Sequence, residues 1–172
     1  MHQFGSIIGG TQIESGQWLD VHSPYTGQQV GRVASITPER ADAVLRQTHA
    51  AKFNLSRYDR AQILNQMADA IETRVDEIAR LITDESGLCL KDTTYEASRV
   101  CDVLRFSAIK ALDDDSQVFP CDISKNGRPR RIYTTRQPLH LIAAITPFNH
   151  PMNQVVHKIA PAIATNNAVV LK

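Results

Sequence analysis

One asparagine, Asn149, lies at a position where its side chain could take part in a reaction. It stands between Pro147 and Pro151, and each proline fixes its own backbone angle φ. A side-chain amide held rigidly in this way can donate a hydrogen bond to an oxygen atom that gains negative charge during a reaction. Asparagine is also a favoured helix cap, so Asn149 could instead cap a helix that begins at Pro151. The residues alone leave both interpretations open.

Two apolar runs and an amphipathic segment surround this asparagine. Residues 139–145 are rich in Leu, Ile and Ala without alternation, which is typical of a strand buried on both faces of a sheet. From Pro151, a favoured first helical residue, apolar side chains recur every three or four positions, which predicts a helix. The apolar positions are Met152, Val155, Val156, Ile159, Ala160 and Ile163. Residues 168–171 are again apolar. The order strand, helix, strand predicts a parallel βαβ unit with a ligand at the carboxyl ends of the strands, at residues 146–150 and Lys172.

The common nucleotide-binding and hydrolase motifs are missing from the sequence. It has no GxGxxG, no P-loop, no HExxH and no GxSxG. The βαβ pattern alone is therefore weak evidence for a nucleotide cofactor.

The stretches AITPFNHPMN and HKIAPAIATNNAVVLK, residues 144–153 and 157–172, resemble the first cofactor-binding segment of the NAD(P)-dependent aldehyde dehydrogenase superfamily. The resemblance implies an α/β fold, the N-terminal part of a Rossmann-like cofactor-binding domain. Residues 1–116 would form its N-terminal meander and helices. Residues 117–137 would form a projecting β-hairpin used in oligomerisation, and residues 138–172 the first βαβ unit, interrupted by the end of the chain.

The resemblance also implies roles for the residues around Asn149. In the family, the asparagine of this motif stabilises the oxyanion together with the backbone amide of a nucleophilic cysteine. The matching wall beside the nicotinamide and its ribose is formed by Ile145, Thr146, Pro147, Phe148 and Asn149. Lys172 matches the lysine that binds the adenosine ribose, so the expected cofactor is NAD or NADP. The general-base glutamate and the nucleophilic cysteine would lie outside this chain, which we expect to be inactive alone.

Two residues suggest an anionic substrate. His150 follows the asparagine where many family members have an apolar aromatic residue, and Arg99 lies on a segment that borders the family's substrate tunnel. An imidazole and a guanidinium in one pocket would suit a phosphonate or a carboxylate. The two stretches look most like the phosphonoacetaldehyde dehydrogenase branch, which would place the protein in phosphonate metabolism. Alternatively, Arg99 pairs with Glu96 or Asp102 on its own helix, and His150 merely fills a turn.

Local signals predict the elements before residue 138. Short strands at 18–21 and 29–33 suggest an antiparallel meander. Helices are predicted from Thr37 to about residue 49, from Ser56 with a capping box to Asp59, over residues 75–86 with Gly87 as the stop, and over residues 92–111. Two strands at 117–123 and 130–137 are predicted to form a hairpin around Asn126-Gly127. In the family, ribbons in this place take part in subunit assembly, which predicts a homodimer or homotetramer.

Composition limits the partners and the compartment. A net charge of +1 offers no general attraction to nucleic acid or to anionic membranes, and the sequence has no apolar run of about 20 residues. We expect neither partner and a cytoplasmic location. The three cysteines, Cys89, Cys101 and Cys121, fit neither a disulfide framework nor a zinc site. We expect all three to be packing residues, and we expect no metal.

The chain ends inside a predicted strand, at Lys172. We therefore expect the N-terminal portion of a longer aldehyde dehydrogenase that acts on a small anionic aldehyde. The alternatives are a semialdehyde dehydrogenase for a carboxylate substrate and a non-catalytic nucleotide-binding or assembly protein.

Overall fold

A computed structural model describes residues 2–14, 16–51, 53–113 and 115–172. The strands are β1 (His2–Phe4), β2 (Ser6–Ile8), β3 (Thr11–Ile13), β4 (Gln17–His22), β5 (Gln29–Ser35), β6 (Val118–Phe119), β7 (Ile132–Tyr133), β8 (Leu141–Ala144) and β9 (Ala168–Leu171). The helices are α1 (Pro38–Ala50), α2 (Arg57–Glu72), α3 (Val75–Ser86), α4 (Leu90–Leu112) and α5 (Pro151–Ala164). None of the helices in these ranges is both long enough and apolar enough to cross a lipid bilayer.

The N-terminal strands form a three-stranded sheet and a separate hairpin. The predicted antiparallel pairing is confirmed for β4 with β5, and β2 pairs antiparallel with β3 as well. Strand β1, where no strand was predicted, runs parallel to β5. Gly31 allows this pairing because a Cβ atom there would lie 2.8 Å from the carbonyl oxygen of His2. The two strands can approach this closely because Gly31 has no side chain.

The predicted helix ends are confirmed where the signal is local. Thr37 caps α1, its hydroxyl accepting a bond from the backbone amide of Arg40. Ser56 and Asp59 form the predicted capping box of α2, with both reciprocal bonds at 3.1 Å. Gly87 ends α3 in the left-handed region at φ 74°. These caps satisfy backbone groups that the helices themselves cannot pair.

Helix α4 is the centre of the hydrophobic core. It packs against α2, α3 and α5, and Val100 and Leu104 are fully buried on it. The buried cluster consists of Ala61, Leu64, Ala68, Val100, Cys101, Leu104, Ala108, Ala111, Val156, Ala160 and Ala164. The small residues in this cluster let the helices pack closely. The contacts of α5 with α4 and α2 therefore fix its position.

The predicted ribbon at 117–137 is much shorter than expected. Strands β6 and β7 pair antiparallel over two residues each, and a long looped segment joins them instead of a two-residue Asn-Gly turn. Gly127 lies close to Cys121, since a Cβ atom at Gly127 would be 1.8 Å from the carbonyl oxygen of Cys121. The chain folds back on itself here, with the Gly127 amide donating to Ser124, so the ladder cannot extend.

The predicted βαβ unit is confirmed. Strands β8 and β9 are parallel, with Leu141 opposite Ala168 and Ala144 opposite Leu171, and α5 connects them and packs against both. The expectation of burial on both faces is wrong for β8, because Ala143 is exposed although Ala144 is buried. In the described chain, this sheet has two strands.

Candidate functional site

The carboxyl ends of β8 and β9 meet at one edge, as the sequence predicts. The backbone amide of Lys172 donates to the carbonyl of Ala144 at 2.8 Å, and the amide of Thr146 donates to the carbonyl of Lys172 at 2.9 Å. The Thr146 hydroxyl donates to the same carbonyl at 3.0 Å. The backbone pairing thus continues beyond both strands and places Thr146 beside Lys172.

The segment that follows β8 presents its side chains to the surface. Ile145 and Phe148 are 71% and 92% exposed, Pro147 and Asn149 are exposed, and Thr146 is half-buried. Packing inside the described chain does not explain two large apolar side chains in this position. Large exposed apolar side chains of this kind are typical of a site that contacts a ligand or another part of a protein.

Asn149 does not cap the helix that follows it. Helix α5 begins at Pro151, and its cap residue is His150, whose side chain makes no capping bond. The alternative interpretation of Asn149 as a helix cap is therefore wrong. The side chain of Asn149 has no hydrogen-bond partner in the described ranges, so its amide is available to a ligand.

A glutamate from another helix satisfies the first turn of α5. Oε1 of Glu96, on α4, accepts bonds from the backbone amides of Met152 and Asn153, each at 3.0 Å. Its Oε2 lies 3.1 Å from Nδ1 of His150. Glu96 is 2% exposed. A buried carboxylate is tolerated here because it accepts charge-assisted bonds at the positive end of a helix dipole.

The Glu96 carboxylate also affects its neighbour on α3. The pKa of the Glu85 carboxyl is raised, first by burial and second by the negative charge of Glu96. The charge of Glu96 thus affects the pKa of a residue other than its three hydrogen-bond partners.

Sequence reasoning missed Glu96 as a site residue and considered it only as a partner for Arg99. Its signal was its position: Glu96 lies beside Ala97 and four residues before Val100, on the apolar stripe of α4. A charged residue on such a stripe needs a buried partner. Which partner it has depends on how α4 packs on α5, and the sequence does not carry that information locally.

The structure does not bring Arg99 and His150 together. Arg99 is exposed and lines a cavity of about 320 Å³ with Glu72, Val75, Tyr95, Ser98, Cys101, Asp102 and Arg105. His150 is not part of that lining and lies against Glu96 instead. The predicted alternative pairs of Arg99 with Glu96 or Asp102 are also not among the ion pairs of the described chain. The Arg99 guanidinium therefore has no ion-pair partner within the described residues.

The cysteines occupy three different environments. Cys101 is buried, with its thiol 3.6 Å from the carbonyl of Ala68, and burial is the main cause that raises its pKa. Cys121 is half-buried, whereas Cys89 is exposed. The expectation that all three are packing residues is wrong for Cys89, because it precedes the first turn of α4 instead of facing the core. Within the described ranges, no cluster of three His, Cys, Asp or Glu residues could hold a metal ion.

Comparison with known sequences places this geometry in a family context. The profile of the "Aldehyde dehydrogenase family" matches residues 11–172. The chain is 40% identical over 157 residues to aspartate-semialdehyde dehydrogenase 1 of Pseudomonas canavaninivorans, covering 90% of this chain and 33% of that protein. It is 31% identical over 171 residues to 3-sulfolactaldehyde dehydrogenase of Priestia aryabhattai, covering 99% and 36%. The chain spans about a third of the length of these curated relatives.

A solved structure has the same fold over this region. The NADP-dependent glyceraldehyde-3-phosphate dehydrogenase from Bacillus halodurans C-125, complexed with NADP, superposes with a TM-score of 0.92 at 29% identity. The match covers 99% of this chain and 37% of that chain. The arrangement of α4, α5 and the β8–β9 edge therefore also occurs within that dehydrogenase chain.

Proposed function

Because the chain belongs to the aldehyde dehydrogenase family, we propose that it is the N-terminal third of an enzyme that oxidises an aldehyde to a carboxylic acid with NAD or NADP. The observation that carries the proposal is the amide of Asn149, which is exposed and unbonded in the described chain. It lies two residues beyond Pro147, at the edge where Thr146 and Lys172 are joined. Such an edge is where parallel sheets bind ligands.

Aldehyde oxidation needs four groups, and Asn149 can supply one of them. A nucleophile adds to the carbonyl, a donor stabilises the oxyanion, a cofactor accepts hydride, and a base activates water. Asn149 is the donor: its side-chain amide is free for the oxygen, and its backbone is held between Pro147 and the helix α5. An amide fixed before the reaction stabilises the developing charge without reorganising.

The edge residues fit a dinucleotide. Ile145 and Phe148 present exposed apolar surface, which suits the flat nicotinamide ring, and Thr146 and Pro147 complete that wall beside the ring and its ribose. Lys172 directly follows β9, and its ammonium would hold the adenosine ribose of the cofactor. The bound nicotinamide supplies the hydride acceptor.

The nucleophilic cysteine and the general base belong to the remainder of the enzyme. Cys101 is buried with a raised pKa, and a thiol in that state is a poor nucleophile. Neither Cys89 nor Cys121 lies on the β8–β9 edge. We therefore expect the chain alone to be inactive.

The substrate is a small anionic aldehyde. The three proteins compared above are named for aspartate semialdehyde, 3-sulfolactaldehyde and glyceraldehyde 3-phosphate, which carry a carboxylate, a sulfonate and a phosphate. Arg99, unpaired in the described chain, is the candidate cation for such a group. Phosphonoacetaldehyde and a carboxylate semialdehyde both meet this description, and one of the relatives, the aspartate-semialdehyde dehydrogenase, is named for a substrate of the second kind.

The full-length enzyme is a homo-oligomer in which the β6–β7 hairpin contacts another subunit. Support comes from its exposed apolar side chains, since Val118, Ile123 and Tyr133 are 86%, 84% and 70% exposed. A hairpin of two residue pairs does not stand alone in water. A cytoplasmic location stays a prediction.

The proposal is tested by assaying the full-length enzyme with NAD and NADP on phosphonoacetaldehyde, aspartate semialdehyde and neutral aldehydes of matched size. We expect reduced cofactor to form, with kcat/KM higher for the anionic aldehydes. Equal kcat/KM on charged and neutral substrates would reject the anionic specificity. No reduction of either cofactor with any aldehyde would reject the enzyme assignment.

A further inference from the structure

Within the described residues, the side chain of Glu96 makes all of its hydrogen bonds to the four residues that follow Asn149. Its carboxylate contacts His150 and the backbone amides of Met152 and Asn153, at 3.0 to 3.1 Å. The side chain of Glu96 is 1% exposed. A carboxylate this deeply buried is costly unless its partners stay in place, so Glu96 and the start of α5 hold each other.

The contacts are long-range, which distinguishes them from an ordinary helix cap. A cap is normally a Ser, Thr, Asn or Asp at the cap position itself, as Thr37 and Ser56 are for α1 and α2. Here the cap position is His150, and the capping carboxylate comes from 54 residues earlier, on α4. The beginning of α5 is thus fixed relative to the helix at the centre of the core.

His150 has a backbone conformation that needs such support. Its φ of 50° and ψ of 62° lie in the left-handed region, which is unfavourable for a residue that has a Cβ atom. Residues persist in this region when the surrounding structure over-determines them. The ring of His150 is held by Glu96, and Pro151, which has no N–H, leaves the next two amides to the same carboxylate.

His150 directly follows Asn149 in the chain. Because the backbone of His150 sets the direction in which the chain enters α5, it also sets where the Asn149 side chain points. On the basis of the proposed function, we infer that Glu96 is a positioning residue for the reaction: it acts through His150 and the first turn of α5 to aim the Asn149 amide at the oxyanion. A misplacement of about 1 Å in such a donor lowers the rate roughly a hundredfold.

The test uses Glu96→Gln and Glu96→Ala in the full-length enzyme, each alone and combined with Asn149→Ala. Glutamine keeps the size and one accepting oxygen but not the charge, whereas alanine removes all three contacts. We expect kcat to fall about tenfold for Glu96→Gln and further for Glu96→Ala, with KM for the cofactor little changed. The matched control is Leu104→Ala, a fully buried residue of the same helix, which lowers Tm and leaves kcat near the wild-type value.

The double variants separate positioning from general stability. If Glu96 acts through Asn149, Glu96→Gln causes no further loss of kcat in the Asn149→Ala enzyme. The same fold-loss in both backgrounds would overturn the inference while leaving the aldehyde dehydrogenase assignment intact. If Asn149→Ala alone has no effect, the catalytic role of Asn149 fails first, and the role of Glu96 fails with it.

A second measurement covers the case in which Glu96→Ala does not fold. Hydrogen exchange of peptides spanning residues 148–156 should be faster in Glu96→Gln than in wild type, because the amides of Met152 and Asn153 lose a charged acceptor. Unchanged exchange together with unchanged kcat in Glu96→Gln would overturn the inference.

Discussion

At the scale of single residues, the site is a set of side chains that the described chain exposes without pairing them. Asn149 has a free amide, Phe148 is 92% exposed, and Arg99 has a free guanidinium. Exposed Asn and Arg side chains are ordinary on a protein surface, so Phe148 is the informative member of this set. A large exposed aromatic side chain of this kind is what we expect where a ligand or another part of a protein binds.

Arg99→Ala tests the substrate proposal at this scale. We expect KM for an anionic aldehyde to rise roughly tenfold or more, because a charged hydrogen bond contributes about 1.5–3 kcal/mol, while KM for a neutral aldehyde of equal size stays the same. The control is Arg80→Ala, an exposed arginine on α3, which should change neither value. Equal losses on the charged and the neutral substrate would remove Arg99 from the substrate site.

Glu85→Gln tests the electrostatics around Glu96. The pKa of Glu85 is raised in the folded state. The protonated carboxyl therefore contributes stability below its ordinary pKa, and this contribution is lost as pH rises through the raised pKa. We expect Glu85→Gln to raise Tm at about pH 7 and to leave Tm unchanged near pH 3.

A control with the opposite sign is available on the same helix. The pKa of Glu77 is lowered by its hydrogen bond with Arg74, so its contribution is present above the ordinary pKa and is lost as pH falls. Glu77→Gln should therefore lower Tm slightly at about pH 7. A lower Tm for Glu85→Gln at that pH would show that burial and the charge of Glu96 do not raise the pKa of Glu85 in the folded protein.

At the scale of elements, the turn from α5 into β9 ties the βαβ unit to the segment before α2. Asn166 has a φ of 60°. Its Oδ1 accepts a bond from the amide of Leu55, and its Nδ2 donates to the carbonyl of Phe53. Asn166 thus has a left-handed backbone conformation, and its side chain links two segments of the chain.

We expect Asn166→Ala to lower the free energy of unfolding by about 2–3 kcal/mol, because it loses both bonds and adds strain at a positive φ. Asn166→Gly should cost less, since glycine adopts that φ freely. Chemical denaturation of the two variants measures the difference. An equal cost for both would show that the backbone conformation of residue 166 does not matter.

The elements that the sequence predicted are those whose signals are local. The caps Thr37 and Ser56, the stop at Gly87 and the apolar spacing of α5 act within four residues, and each was confirmed. The β6–β7 hairpin was mispredicted in length, because the close approach of Gly127 to Cys121 is not encoded in strand propensity.

At the scale of the whole molecule, α4 connects the core to the candidate site. One face of this helix carries the buried cluster with Val100 and Leu104, and the same stripe continues to Glu96 and so to the start of α5. The sequence predicted the helix and its apolar stripe but not this connection. Which residues face each other across two packed helices depends on their crossing, which no short segment determines.

The match to a longer dehydrogenase chain agrees with this arrangement. The TM-score of 0.92 extends over 99% of the present chain and 37% of its counterpart. The βαβ edge, the exposed apolar side chains and the unpaired amide lie within that shared region. The proposed function therefore depends on whether the Asn149 amide stabilises an oxyanion in the full-length protein.

The most direct test is kcat of the full-length Asn149→Ala enzyme, measured as formation of reduced cofactor from a saturating aldehyde. We expect kcat to fall roughly 10²–10³-fold, as it does when one oxyanion donor is removed, with KM for the cofactor little changed. Asn54→Ala, in an exposed loop, is the matched control and should keep the wild-type kcat. A wild-type kcat in Asn149→Ala would contradict the account.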